Sequence, residues 1–125
     1  METKYRISVD PTTQLVRLWL AGQWDEATLA AYRRDLEAAM SDFECQGGRR
    51  GEYLLLIDLR EQGVQARDVA AGHQAIIAEH APSARRRALV MSESALHAMQ
   101  VRRISPSAEV NMFRSEDEAL IWLTS

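Results

Sequence analysis

Two stretches near the amino end alternate apolar and polar residues. Ile7 and Val9 stand between polar neighbours, and Val16, Leu18 and Leu20 keep the same spacing. A period of two marks strands with one face buried. Between them, Asp10-Pro11-Thr12-Thr13 sets proline at the second position of a tight turn. Residues 5 to 20 therefore predict a β-hairpin. Trp19 falls on the face opposite Leu18 and Leu20, so either both faces of this strand are covered or Trp19 is offered to a partner.

The period then changes. Gly22-Gln23-Trp24 breaks the strand, and Asp25 is suited to cap a helix with Glu26 in its first turn. Leu29, Tyr32, Leu36, Met40 and Phe43 follow at spacings of three, four, four and three, a single apolar stripe along one helix. Gln46 to Gly51 reads as the loop that ends it. Tyr53 to Leu59 is a continuous apolar run, the mark of a central strand covered on both faces and parallel to its neighbours. A second helix is predicted over 66–80, stopped by Pro82. A strand over Arg87–Met91, a helix over Ser94–Ile104 and a strand over Ala108–Phe113 follow. Ser115 and Glu118 form a capping box for the last helix, which docks through Ala119, Leu120, Trp122 and Leu123.

The order β-β-α-β-α-β-α-β-α predicts one α/β domain over residues 1–125, a mixed β-sheet, largely parallel after its edge strand, with packed helices. A chain of 125 residues buries enough surface to fold without a metal or disulfide. Fifteen basic against eighteen acidic residues give a net charge of −3. That balance argues against nucleic acid, whose binders carry a basic excess. Cys45 is the only cysteine, which excludes an internal disulfide and suits the cytoplasm, with an idle thiol expected. No apolar run approaches the ~20 residues of a membrane span, and the amino end lacks the pattern of a signal peptide.

Candidate chemistry is sparse. Asp58 and Arg60 lie at the carboxyl end of the central strand, where open α/β sheets bind ligands. Arg60 suits a carboxylate or phosphate; alternatively, Asp58 caps the next loop and pairs with Arg60 or Arg67. His73 and His80 stand ~10 Å apart along the second helix, too far to share a metal, and His73, His80 and His97 read as packed or half-exposed. Arg85, Arg86 and Arg87 read as a solvated rim, their side chains split between faces by strand alternation. No nucleophile elbow or phosphate-cradling glycine loop occurs.

The element order, the strand Leu54 to Arg60 and the ending Phe113 to Leu123 resemble the STAS superfamily (sulfate transporter and anti-sigma factor antagonist), and within it the bacterial SpoIIAA-like, STAS/SEC14-type proteins. The likeness runs over nearly the whole chain. Its most telling parts are Asp58-Leu59-Arg60 and the helix Glu118 to Leu123. Antagonists of this fold carry a phosphorylatable serine where the helix after the central strand begins. Here Arg60 to Asp68 has neither serine nor threonine, and none occurs between Ser41 and Ser83.

The resemblance implies a non-enzymatic regulatory or protein-interaction module, a homodimer in one form, without that kinase switch. The residues expected to meet a ligand or partner are Asp58, Arg60, Gln62, Gln65 and Arg67. Its alternative is a carrier or sensor of a small apolar or anionic ligand in the sheet–helix cleft, with Met40, Ile76, Ile77 and Met99 as the lining to look for. No cofactor or metal is expected. Trp122, sharing a face with Ala119 and Leu123, is expected in the core, where truncation to alanine costs ~3–5 kcal/mol.

Overall fold

The structure is a computed structural model that describes residues 3–80, 84–104 and 110–125. Its hairpin is β1 (Tyr5–Asp10) and β2 (Leu15–Gly22), with Tyr5 opposite Leu20 and Asp10 opposite Leu15. Helix α1 (Glu26–Cys45) leads to the central strand β3 (Tyr53–Gln62), and α2 (Arg67–His80) to β4 (Ala84–Val90). Helix α3 (Ala95–Ile104), β5 (Val110–Phe113) and α4 (Glu116–Leu123) complete the chain. Pro82, Ala108 and Glu109 lie outside the described residues. The spatial order is β1-β2-β3-β4-β5, antiparallel at β1–β2 and parallel elsewhere.

This order dictates the layers. Each crossover from β2 to β5 moves one strand in the same direction, and such crossovers are right-handed. Helices α1, α2 and α3 must therefore share one face of the sheet. Helix α4 packs against β3, β4 and β5 from the other side. Two apolar clusters result. Val16, Leu18, Leu20, Leu55, Ile57, Leu59 and Leu89 meet the three helices. Leu56, Ala88 and Val90 meet Ala119 and Leu123 of α4. The central strand feeds both, which is why its sequence is apolar without alternation.

The caps follow local chemistry. Asp25 accepts from the Thr28 amide at 2.8 Å, and Ser115 accepts from the Glu118 amide at 3.1 Å. At the far end of α1, Gly47 takes φ +101°, a conformation costly for any residue with a Cβ. Its amide bonds the Glu44 carbonyl, and that of Gly48 bonds the Phe43 carbonyl at 2.7 Å, closing the helix as a Schellman motif. Within α1, Tyr32, Leu36, Met40 and Phe43 are buried and Leu29 packs against them.

The arginine triplet is not a uniform solvated rim. Arg86 faces α4, donates to the carbonyls of Trp122 at 2.9 Å and Ser125 at 3.1 Å, and lies over the Trp122 ring. The last carbonyls of a helix have no amide one turn further on to bond, and a cation is favoured there. Arg87 faces the other side of the sheet. Cys45, last residue of α1, is exposed.

Trp122 is half-buried, between Arg86 and the Phe113 ring 5.7 Å away, and not a full member of the core. We therefore expect Trp122→Ala to cost about 2 kcal/mol in urea unfolding, below the full-core figure. A loss under ~0.5 kcal/mol would mean that α4 is not docked through this residue.

Candidate functional site

Every strand of the parallel part ends on the same side of the sheet, where α1, α2, α3 and α4 begin. One irregularity at that edge sorts its residues. Trp19 pairs with Asp58, but Ala21 pairs with Glu61, so Leu59 and Arg60 together oppose Leu20. An extra residue of this kind is a β-bulge and re-aims the side chains after it. In a straight strand Asp58, Arg60 and Gln62 would share a face. Here Asp58 and Arg60 turn towards α4, and Gln62 turns to the three-helix side.

On the α4 side the charges interlock. Arg60 Nε and Nη2 donate to the two oxygens of Asp58 at 3.0 and 2.8 Å, and the Arg60 amide donates to Asp58 at 3.1 Å. Arg60 also lies 3.9 Å from Glu116, which pairs with Arg17. Partial burial opposes ionisation of Asp58, but the Arg60 hydrogen bonds outweigh it and hold the carboxyl below its usual range. Of the two sequence-level alternatives, Asp58 takes the Arg60 pairing. None of the ion pairs among the described residues includes Arg67, which is exposed at the start of α2.

Gln65 has a different task. It is buried, and its side-chain oxygen accepts from the Trp24 amide at 2.8 Å while its nitrogen donates to the carbonyls of Gly22 and Gly63. Its own amide and carbonyl bond the Gln100 side chain, both at 2.8 Å. Gln23 adds a bond to the Val64 carbonyl. The β2–α1 loop, the β3–α2 loop and α3 are thereby fastened together. So the expected set divides: Asp58 and Arg60 on one face, Gln62 on the other, Gln65 inside and Arg67 outside.

Beneath this edge, between the sheet and the three-helix layer, lies a cavity of about 70 Å³. Leu20, Ile57, Leu59, Ile76 and Ile77 are among its apolar lining, and Gln62, His73 and Arg87 reach it. Of the liners expected from sequence, Ile76 and Ile77 are present. Met40 packs in the core instead, and Met99 is 52% exposed on α3. His73 was legible as a packed histidine but not as a cavity residue. It is 6% exposed, its ring 4.7 Å from that of Trp24, and its Nε2 has no hydrogen-bond partner. Burial lowers its pKa from 6.5 to about 4, so the ring is neutral at physiological pH. His97, also buried, meets Gln62 Oε1 through Nε2 at 2.9 Å and leaves Nδ1 unpaired; burial lowers its pKa too.

Among the described residues no group of three His, Cys, Asp or Glu side chains is placed to hold a metal. No described helix is long and apolar enough to cross a membrane.

A histidine held neutral makes stability depend on pH. Between pH 6.5 and about 4 the unfolded chain protonates His73 while the native chain does not, so stability falls as pH falls through that window. The full depression corresponds to about 3 kcal/mol. Unfolding of His73→Phe should lack this part of the slope, and the His73 ring should show no NMR titration above pH ~5. A His73 midpoint near 6.5 would contradict the buried, neutral placement.

No family model and no curated protein sequence matches the chain. Solved structures do. An uncharacterised protein of the DUF3478 family with a SpoIIAA-like fold, from Shewanella loihica PV-4, is similar at a TM-score of 0.72 and 18% identity, over 98% of each chain. An anti-sigma factor antagonist from Mycobacterium paratuberculosis is similar at 0.60 and 15% identity, over 97% of this chain and 95% of that one. A five-stranded mixed sheet with three helices on one face and one on the other is thus the SpoIIAA-like fold, an α/β architecture, and this chain adopts it.

Proposed function

We propose that this chain is a non-enzymatic regulatory domain of the STAS type that presents its β3–α2 loop and the first turn of α2 to a partner protein. The supporting observation is the Gln65 clamp. It holds residues 63–66 against two other elements while Arg60, Glu61, Arg67 and Asp68 stay exposed around them. A surface already ordered before binding loses little conformational entropy when a partner arrives. One similar structure is that of an anti-sigma factor antagonist, and the proposal extends regulation through protein contact to this chain. Because Arg60 to Asp68 offers no hydroxyl, the reading has contact governed by partner availability rather than by phosphorylation there. It has the protein at work in the cytoplasm, in keeping with its single cysteine, and includes pairing of two copies as one form of contact.

The test is capture of partners by tagged protein in its own host. Arg60→Ala and Arg67→Glu should each lose a partner that wild type and the distant control Glu37→Lys retain. Melting temperatures should stay within a few degrees: Arg67 joins no ion pair among the described residues, and Arg60, although bonded to the partly buried Asp58, is itself half-exposed. Equal capture by all four proteins would refute this surface.

A second reading has its own observation. An apolar cavity bordered by a buried imidazole whose Nε2 has no partner suits a small apolar molecule with one hydrogen-bonding group, a carrier or sensor role. The cavity is small, so a ligand larger than a few heavy atoms must open the α2 layer. Native mass spectrometry of protein purified from its host should then show excess mass that disappears on denaturation. A bare mass of 14.1 kDa in both conditions would remove this reading.

A further inference from the structure

Among the described residues the first strand is paired on one side only. β1 bonds to β2, and its other edge ends the sheet. Along an antiparallel pair, residues alternate between exchanging both backbone bonds with the partner and directing both groups outward. The Lys4 carbonyl accepts from the Ala21 amide at 2.8 Å. Lys4, Arg6 and Ser8 are therefore bonded inward, and Tyr5, Ile7 and Val9 present their N–H and C=O groups to the open edge. Natural edges are commonly blunted by a proline or a bulge. β1 contains neither, and its register with β2 is regular throughout.

Helix α1 makes this edge one side of a groove of about 380 Å³. Tyr5 and Ile7 form the strand wall, and Asp35, Ala38, Ala39 and Asp42 the helix wall. The alanines leave room, and the groove is acidic. Arg6 lines it too, but its guanidinium lies over the Trp19 ring at 4.8 Å, on the opposite face of the sheet. Asp35 accepts from the Tyr5 hydroxyl at 2.6 Å and lies 3.6 Å from Arg34 Nε. Asp42 is exposed and joins no ion pair among the described residues. The two carboxylates are seven residues apart, ~10 Å along the helix.

We propose that an extended, positively charged segment of a partner protein adds to β1 as a further strand, bonded to Tyr5, Ile7 and Val9, with basic side chains against Asp35 and Asp42. Strand addition of this kind draws affinity from the backbone and specificity from alternate side chains. Side chains on one face of a strand recur every ~6.6 Å. Basic residues four apart, with an apolar residue between them, thus reach both aspartates and place the apolar group over Ile7, Ala38 and Ala39. A second copy of the chain fits the backbone pattern but not the charge. Antiparallel pairing about Ile7 sets Tyr5 opposite the other copy's Val9 and brings Asp35 alongside the other copy's Asp42. This surface is separate from the β3–α2 loop, so either can fail without the other.

Hydrogen exchange and a synthetic probe test it at low ionic strength. In the free protein the amides of Tyr5, Ile7 and Val9 should exchange fast, and those of Arg6 and Ser8 slowly. Acetyl-Thr-Lys-Thr-Val-Thr-Lys-Thr-amide at millimolar concentration should protect the fast three. The same peptide with Glu for Lys, or N-methylated at Val, should not. Asp42→Lys, and the milder Asp42→Asn should folding suffer, should weaken binding of the Lys peptide about fivefold or more while leaving the free-state alternation intact. Absence of protection, equal binding of the Glu peptide, or binding indifferent to Asp42 would overturn the proposal. So would edge amides already protected in a dimer of the free protein, which would give the edge to a second copy.

Discussion

Everything in this molecule is arranged around burying β3 on both of its faces. Leu55, Ile57 and Leu59 face the three-helix layer, and Leu56 faces α4. A strand apolar on both sides needs neighbours on both edges and cover above and below. Parallel neighbours require helical crossovers, and the hand of those crossovers sends α1, α2 and α3 to one side. α4 is then the only described helix on the other face. That dependence explains why so short a helix is held by an arginine from the sheet: Arg86 ties the carbonyls of Trp122 and Ser125 to β4.

The carboxyl edge is shaped by two polar devices of different kinds. The bulge at Leu59 and Arg60 separates side chains that a regular strand would group, giving Asp58 and Arg60 to the α4 face and Gln62 to the three-helix face. The Gln65 clamp then joins loops more than forty residues apart in sequence, because Trp24 and Gln65 meet through a buried hydrogen bond. A buried amide with all its groups paired is worth its burial; left unpaired it would cost ~1–3 kcal/mol. The histidines show the other side of that rule. His73 and His97 each keep one buried nitrogen without a partner, and the lowered pKa of each is how the fold avoids also burying a charge.

Periodicity by itself determined the architecture. The two-residue alternation of the hairpin, the apolar stripe of α1, the unbroken run of β3 and the caps at Asp25 and Ser115 are local patterns, set by side-chain direction and backbone hydrogen bonding within a few residues. The element order followed from them, and the hand of crossovers with it. Strand ends were less legible: β4 begins at Ala84 rather than Arg87, and β3 runs on to Gln62, because pairing with a neighbour extends a strand beyond its apolar residues.

What the site does with its residues was decided by tertiary structure. Asp58, Arg60, Gln62, Gln65 and Arg67 are neighbours in sequence, yet they reach two faces, the interior and the surface. The divisions depend on a bulge opposite Leu20, on a tryptophan amide forty-one positions away, and on a glutamine from α3. Burial of Met40 and exposure of Met99 were equally beyond local pattern, since both residues suit an apolar helix face. A period reports which way a side chain points along its own element; only the packed neighbours settle what it meets.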